Sequence, residues 1–370
     1  MLSALLYVPS PTRALPLLPR TISHASYVSN AVSAVGSLNN KWFSQSNGQW
    51  DNLWWNSANI VTTIADLAHV NTGYMETASG IFENVFFAAQ ASNNGSWLND
   101  FYDDEQWWAL AWIKVYDLTN NGTYLLAAQS IFEDLKGGTG ATCGGQWWDK
   151  DHNATNTINN ELYLAVGASL ANRVRDNREY KDAATQQADW LFNTSRLMNS
   201  NNTFVDGLEL SDCTPEGPVW SYNQGVVLGA LVEMSRLTGD SSYLDTAATI
   251  AQGTLRHLTV SGILTETAAY PNEDSTAAQF KGVFARNLVY LQNARGNGDY
   301  VSFLQNNADS IWSNNRQSDG QVGADWQGPV VSTGAAAQSS ALDCLVAAAA
   351  VSSQSHEVGV GCGATKVDVL

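Results

Sequence analysis

Basic side chains are scarce in this chain, and charged side chains as a whole contribute little to it. Only 14% of the 370 residues are charged, with 18 Lys or Arg against 35 Asp or Glu. The resulting formal charge of −17 repels nucleic-acid phosphates and anionic membrane surfaces over most of the molecule. The same charge disfavours polyanionic substrates such as polyuronates. We therefore expect no nucleic acid as the main partner.

Cysteine and long apolar runs are also rare. The four cysteines form no Cys-x-x-Cys pair, and none has a histidine at ligand spacing, which argues against a zinc site. Two disulfides are plausible, and of the three connectivities that four cysteines allow we favour Cys143 with Cys213 and Cys344 with Cys362. No apolar run approaches the ~18 uninterrupted residues of a membrane span, so we expect none. The sequence also predicts no metal and no cofactor, because its histidines show no metal-ligand spacing.

The two ends and the asparagine triplets indicate secretion. Residues 1–20 contain a short apolar run followed by prolines, which we interpret as a possible leader remnant. We predict a single catalytic domain over 21–354 and a tail over 355–370 that lacks the hydrophobic stretch of a lipid-anchor signal. Five Asn-x-Ser/Thr triplets predict an extracellular glycoprotein, although an Asn-rich chain also forms such triplets by chance; they begin at Asn94, Asn121, Asn153, Asn193 and Asn201.

Aromatic residues are abundant by contrast. The chain has 14 Trp and 13 Tyr, with few charges between them. Sites that bind neutral sugars combine flat apolar rings with neutral hydrogen-bonding groups. The composition therefore favours a neutral sugar as the ligand.

A repeat of about 55 residues organises the chain. A turn residue followed by Tyr, leading into a helical pattern, occurs six times, at Tyr27, Tyr74, Tyr124, Tyr180, Tyr243 and Tyr300. Each copy is followed by a second helical stretch, over roughly 59–70, 105–118, 158–175, 223–237, 277–295 and 333–352. We predict an all-α fold, an (α/α)6 barrel in which six helical hairpins close into a toroid; the alternative is an open solenoid.

The connections entering the second helix of each hairpin are long, aromatic and rich in Gly and Asn. The opposite connections, such as residues 119–122 and 238–240, are short polar turns. In a ring of hairpins the long connections all emerge at one end. We therefore expect the functional cleft at that rim.

Asp103 and Asp104 are the most distinctive pair on this rim. Adjacent carboxylates beside aromatic rings raise the free energy of the folded state unless water solvates them or they serve a function. One interpretation is capping, because Asp103 with Gln106 fits an acidic variant of the capping box. The other is catalysis, because glycoside hydrolysis needs two carboxyls with separated pKa values. Both can hold at once.

The run Phe-Tyr-Asp-Asp-Glu-Gln-Trp-Trp-Ala-Leu-Ala-Trp at 101–112 closely resembles the signature of glycoside hydrolase family 76, the α-1,6-mannanases. Further stretches resemble that family in the same order, at 144–149, 159–162, 220–225 and 280–286. The resemblance implies an α6/α6 barrel that cleaves α-1,6-mannan internally with retention of configuration. By position it makes Asp103 the nucleophile and Asp104 the acid/base.

Other rim residues are candidates for holding the sugar. We expect stacking from aromatic rings at Trp55, Trp107, Tyr222 and Trp326. We expect hydrogen bonds to hydroxyls from polar side chains at Asp51, Asn223, Gln224, Lys281 and Arg286, although Lys281 and Arg286 can equally pair with acids.

Three other functions remain open, and we expect a monomer in each case. A cell-wall mannan transglycosylase would use the same Asp pair but pass the glycosyl unit to a sugar acceptor. Another α/α-barrel enzyme, an inverting glycosidase or a polysaccharide lyase, is a weaker alternative, because lyases act on uronates and need a cationic site. A non-catalytic mannan-binding protein would keep the aromatic rim without turnover.

Overall fold

The computed structural model describes residues 22–270 and 273–354. The predicted leader and tail, and with them Cys362, lie outside these residues. Within them the chain forms twelve α-helices: α1 (His24–Trp42), α2 (Trp54–Val70), α3 (Met75–Ser92), α4 (Tyr102–Thr119), α5 (Gly122–Leu135), α6 (Thr157–Arg173), α7 (Arg178–Asp189), α8 (Ser221–Thr238), α9 (Ser242–His257), α10 (Ala277–Ala294), α11 (Gly298–Asn314) and α12 (Ala335–Gln354).

The even-numbered helices form a closed inner ring. Each packs on the next, and α12 packs back on α2, so the predicted toroid is confirmed and the open solenoid is excluded. Because neighbours surround them, the inner helices are buried on nearly all sides; every residue of α6 from Thr157 to Leu170 is buried. The odd-numbered helices form the outer ring and bury one stripe each, as α5 does with Ala128, Phe132 and Leu135.

The recurring Tyr motif is a capping and anchoring device for the outer helices. In α5, α7 and α11 an Asn three residues before the Tyr is the N-cap, and its side-chain oxygen accepts a hydrogen bond from the backbone N–H two residues on. The Tyr ring then enters the space between the rings, where Tyr180 and Tyr300 are 2% and 1% exposed. The repeat therefore encodes the start of each hairpin.

Three short antiparallel hairpins lie in the long connections. They pair β1 (Phe43–Ser44) with β2 (Gln49–Trp50), β3 (Gly207–Leu208) with β4 (Pro215–Glu216), and β5 (Thr259–Val260) with β6 (Ile263–Leu264). They precede α2, α8 and α10, so they stiffen the rim formed by the amino ends of the inner helices.

A disulfide joins two of the rim connections. Cys143 and Cys213, 70 residues apart, are bonded with a Cα–Cα distance of 5.4 Å, as the sequence predicted. The partner predicted for Cys344 is Cys362, which the structure does not describe; Cys344 itself is buried in α12.

One helix of the described ranges is long and apolar enough to cross a membrane. It covers Ala335–Ser352 of α12, and 94% of that window is buried inside the barrel. Its apolar composition is accounted for by its place in the inner ring.

Candidate active site

Asp103 and Asp104, the acidic pair, lie in the first turn of α4, where the rim opens into the barrel. Both side chains are partly exposed, unlike Glu105, which follows them and is fully buried. The positive end of a helix stabilises negative charge, so this position favours at least one ionised carboxylate.

The predicted capping box is wrong. The N-cap of α4 is Phe101, and the side chain of Gln106 donates instead to Gln146 Oε1 at 2.9 Å. The entry to the helix is held by Glu105, whose Oε1 accepts from the backbone N–H of Asn99 at 2.9 Å. Asp103 and Asp104 are therefore not committed to capping by this motif.

Hydrogen bonds from one side chain and from the backbone stabilise the ionised form of Asp103. Its Oδ1 accepts from the backbone N–H of Asp104 at 3.0 Å, and its carboxylate also accepts from the side chain of Trp148. Burial nevertheless raises the pKa of Asp103 to about 6, and these hydrogen bonds oppose the rise while the charge of Asp149 adds to it.

A short bridge places Trp148 beside the pair. The segments around Phe101 and Asp149 run antiparallel, with the N–H of Tyr102 donating to Trp148 O at 2.9 Å and the N–H of Lys150 donating to Asp100 O at 3.0 Å. The loop before α6 is thus fastened to the start of α4.

Asp104 has a less favourable environment for charge. Its Oδ2 accepts from Asn99 Nδ2 at 2.7 Å, but the charges of Asp103 and Glu105 lie beside it. Burial and the Asp103 charge raise the pKa of Asp104 well above its usual range. Its surroundings therefore favour the protonated form more strongly than those of Asp103 do.

Four aromatic rings form a continuous wall, here called the aromatic wall, composed of Tyr222, Phe280, Trp55 and Trp107. Tyr222 stacks on Phe280 at 3.7 Å between centroids, Phe280 lies 6.3 Å from Trp55, and Trp55 stacks on Trp107 at 6.0 Å. Trp55 and Tyr222 are partly exposed, whereas Trp107 and Phe280 are buried and support them.

Tyr222 connects the wall to the acidic pair. The charges of Asp206, Asp103, Glu161 and Glu266 all act on its hydroxyl and, together with burial, raise its pKa well above the usual value. The hydroxyl is therefore a neutral donor close to the carboxylates.

A rim pocket of about 440 Å³ opens beside Asp206. Its walls come from the loop before α6 and from the β3–β4 hairpin, the two segments that the disulfide ties together. Burial raises the pKa of Asp206 to about 6. This part of the rim is acidic and carries Asn153, Asn156, Glu209 and Glu216 on its walls.

Four of the polar residues predicted to contact sugar are buried. The side-chain amide of Gln224 is bonded to the backbone of Phe204: its oxygen accepts from Phe204 N at 2.8 Å and its nitrogen donates to Phe204 O at 2.9 Å. Asn223 is fully buried near Asp206. Neither side chain reaches the surface of the cleft.

The two predicted basic residues pair with acids, the alternative that the sequence left open. Lys281 forms a buried ion pair with Glu273 and lies 5.7 Å from the Trp326 ring. Arg286 bonds Asp343 at 3.0 Å and also contacts Asn59. Trp326 is 1% exposed and so presents no face to a sugar in this structure.

Asp51 lies in the turn that follows β2. It is exposed and has a φ of 57°, the left-handed conformation of a tight turn. It is on the rim, and no contact joins it to the acidic pair.

Sequence reasoning did not select Trp148, Asn99 or Phe280. Trp148 and Phe280 belong to stretches that resemble the family, so the signal was present at the level of the segment. Asn99 had no such signal, because its role depends on the turn before α4 that brings its amide to Asp104.

The sequence profile described as "Glycosyl hydrolase family 76" matches residues 24–358. Among curated relatives, the Saccharomyces cerevisiae "Mannan endo-1,6-alpha-mannosidase DFG5" is 30% identical over 158 residues, 40% of this chain and 34% of that protein. Its Candida albicans counterpart is 23% identical over 264 residues, 64% of this chain and 58% of the relative. The chain thus matches less than two thirds of each relative's length.

Among solved structures, the GH76A alpha-1,6-mannanase from Salegentibacter sp. HEL1_6 superposes with a TM-score of 0.79 at 22% identity. The match covers 87% of this chain and 99% of that one. An inactive variant of the same mannanase, with two consecutive aspartates replaced by asparagine, is in complex with alpha-1,6-mannotriose. At this identity the likeness establishes the shared fold.

Proposed function

Because the chain belongs to glycosyl hydrolase family 76, whose profile covers residues 24–358, we propose that it cleaves α-1,6-mannan internally with retention of configuration. Asp103 is the nucleophile and Asp104 the acid/base. The observation that carries this proposal is the unequal environment of the two adjacent carboxyls at the start of α4: Asp103 accepts from the Asp104 backbone and from Trp148, whereas Asp104 accepts from Asn99 and lies beside two other carboxyls.

Two carboxyls with unequal environments match the two steps of retaining hydrolysis. In the first step the Asp103 carboxylate attacks the anomeric carbon while Asp104 donates its proton to the leaving glycosidic oxygen. The product is a glycosyl ester on Asp103. In the second step ionised Asp104 takes a proton from water, the water oxygen attacks the anomeric carbon, and Asp103 leaves as a carboxylate. Two inversions at one carbon give net retention.

The surroundings suit a neutral sugar. Trp55 and Tyr222 offer partly exposed rings beside the pair, and the basic residues nearest the wall, Lys281 and Arg286, are already paired with acids. A mannan chain needs ring stacking and hydroxyl hydrogen bonds rather than a cationic site. The names of the curated relatives and the mannotriose complex support the same substrate.

The test is product analysis on linear α-1,6-mannan with Asp103→Asn and Asp104→Asn. We expect each variant to lose about 10²- to 10⁴-fold in rate, since each loses a group that acts in the transition state. The control is Asp151→Asn, an exposed carboxylate in the loop that carries Trp148. NMR of the first products should show retained α configuration.

Three outcomes separate the candidates. Shorter oligosaccharides that disappear with Asp103→Asn support the hydrolase. Products longer than an added manno-oligosaccharide acceptor mean that the same covalent intermediate is passed to a sugar. A fully active Asp103→Asn protein, folded as judged by circular dichroism, overturns the assignment.

We also propose that the protein is secreted, glycosylated and monomeric. The Cys143–Cys213 disulfide supports an oxidising compartment, and Asn94, Asn193 and Asn201 are exposed. A mass decrease after treatment with an endoglycosidase and a monomer mass by light scattering test these statements; unmodified asparagines or a dimer mass contradict them.

A further inference from the structure

We propose that a second cavity, on the outer wall of the barrel, binds a segment of the mannan chain without cleaving it. The identity of the sugar rests on the proposed function, whereas the site itself rests on the cavity. This outer cavity has a volume of about 830 Å³ and lies between α6, α7 and the loop that follows α5. Its main lining residues are Lys136, Thr139, Tyr163, Asp182, Gln187 and Trp190.

Two polar side chains in the lining, Tyr163 and Gln187, each offer the cavity an atom without a protein partner. Tyr163 and Gln187 are each 5% exposed. Gln187 donates its amide N–H to Asn160 Oδ1 at 2.8 Å, but within the described part of the chain neither its carbonyl oxygen nor the Tyr163 hydroxyl has a hydrogen-bond partner. Neither atom is among the fully buried unpartnered atoms of the described residues, so both are open to the cavity, where a ligand or water can bond them. Sugar hydroxyls supply both functions.

Trp190 provides a fixed ring in the same cavity. Its Nε1–H donates to Cys143 O at 3.1 Å, and the disulfide of Cys143 holds that loop in place. The ring packs against Gly144 and Gly145, where an added Cβ would lie 2.8 Å from ring carbons. Only glycine allows this approach, so the loop and the indole form a preorganised platform.

The charge of the cavity favours a neutral ligand. Lys136 is already bound by Glu133 at 2.5 Å and Glu179 at 2.8 Å. Asp182 adds an exposed carboxylate on the opposite wall. A phosphate or carboxylate ligand would meet net negative charge, whereas a neutral hexose chain meets an indole, a phenol and an amide.

The outer cavity and the acidic pair share one loop. Gly145 lines the cavity, and Trp148, three residues later, donates to Asp103. A polymer that occupies the outer cavity is therefore held near the cleft and raises the local concentration of cleavable linkages there. Short oligosaccharides gain nothing from such a site.

The test fills the cavity with Ala183→Trp. Ala183 lines the cavity on α7, and Thr185→Trp adds the same ring on an exposed face of the same helix as the control. A third variant, Tyr163→Phe, removes only the unpartnered hydroxyl. Migration of each variant is measured by native electrophoresis in gels containing linear α-1,6-mannan, and kcat and KM are measured on the polymer and on mannotetraose.

We expect Ala183→Trp to be retarded less than the wild type and its KM on the polymer to rise by up to about tenfold, which corresponds to 1.4 kcal/mol of binding. Its kcat on the polymer and its kcat/KM on mannotetraose should stay unchanged, Thr185→Trp should match the wild type, and Tyr163→Phe should change in the same direction by less.

Equal retardation of Ala183→Trp and wild type overturns the site, as does a wild type that mannan does not retard. If Ala183→Trp does not fold, an unchanged Tyr163→Phe overturns it. If the protein hydrolyses mannan but Ala183→Trp behaves as the wild type, the proposed function stands and the outer cavity is not a binding site. If mannan retards the wild type but not Ala183→Trp, and no variant hydrolyses it, the binding site stands and the proposed function is wrong.

Discussion

Replacing Trp148 with Phe is expected to make the reaction more sensitive to acid. The indole of Trp148 donates to the carboxylate of Asp103 and lowers the pKa of that group, which burial otherwise raises to about 6. Phe keeps a ring that can pack near Phe101, whose centroid lies 4.8 Å from that of Trp148, and removes only the donor. The pKa of Asp103 should therefore rise.

The size of the rise follows from the strength of a hydrogen bond to a charged group. Such a bond contributes about 1.5–3 kcal/mol, and about 1.4 kcal/mol corresponds to one pKa unit. Because the pair is partly exposed, solvent reduces the effect, and we expect a rise of about one unit.

Asp103, the nucleophile that we propose, must be ionised to attack, so we expect activity to fall as pH drops through its pKa. With that pKa near 6 in the wild type, about a tenth of the enzyme has an ionised nucleophile at pH 5; with a pKa one unit higher, about a hundredth has. We expect kcat/KM of Trp148→Phe at pH 5, relative to its own maximum, to be about tenfold below that of the wild type. The assay is kcat/KM on linear α-1,6-mannan from pH 4 to 9.

The matched control is Trp147→Phe. Trp147 is the preceding residue; its ring stacks on His152 at 4.7 Å, and it is not among the groups that act on the pKa of Asp103. Its profile should keep the wild-type acid limb. An unshifted or lowered acid limb in folded Trp148→Phe would refute the claim that this indole tunes Asp103.

Three further predictions concern stability. Replacing Cys143 and Cys213 together by Ser should lower the free energy of unfolding by about 4 kcal/mol, the chain-entropy value for a loop of 70 residues. Gly145→Ala should lower the melting temperature more than Gly140→Ala does, because both have positive φ but a Cβ only at Gly145 meets neighbouring atoms within 4 Å. Glu161→Gln should be more stable than wild type at pH 7.5 and gain least at pH 4, because burial raises the pKa of Glu161 well above normal.

The direction of the stability change for Glu161→Gln follows from the linkage between proton binding and folding. The Glu161 carboxyl ionises in the unfolded chain near pH 4 and only at much higher pH in the folded protein, so the folded state loses stability as pH rises between the two values. Gln has no proton to lose, so the variant does not lose stability in this way. Denaturant unfolding at pH 4 and pH 7.5 measures the difference in free energy of unfolding between variant and wild type; an equal difference at the two pH values would contradict the raised pKa of Glu161. Equal melting temperatures of Gly145→Ala and Gly140→Ala would contradict the glycine prediction. Equal melting temperatures of the disulfide variant and the wild type would contradict the disulfide prediction.

Much of the fold was predictable because its determinants are local. Helical periodicity after each Tyr predicted that an outer helix begins there, and the predicted second stretches agree with the even-numbered helices within a few residues, apart from the early start of α2 at Trp54. The β-hairpins of the rim were not predicted, because each consists of two-residue strands that carry no periodic pattern.

The site was only partly predictable. Asp103 and Asp104 are neighbours in sequence, and their motif is distinctive, so the pair was found directly. Lys281 and Gln224 were placed on the cleft because they flank aromatic residues, but each faces a partner inside the protein. Which way a rim side chain points depends on the neighbouring loops, which the local sequence does not specify.

The sequence by itself predicted twelve helices and identified the acidic pair, because periodicity and adjacency are properties of the chain. The Cys143–Cys213 pairing was one of three connectivities that the sequence allowed, and closure of the ring was favoured over an open solenoid; the structure decided both. The tertiary structure alone decided how the surroundings of the two carboxyls differ. That difference depends on burial and on the Trp148 indole, from the loop before α6, reaching Asp103. The free energy of a charge is set by the groups around it, and folding brings those groups from distant segments.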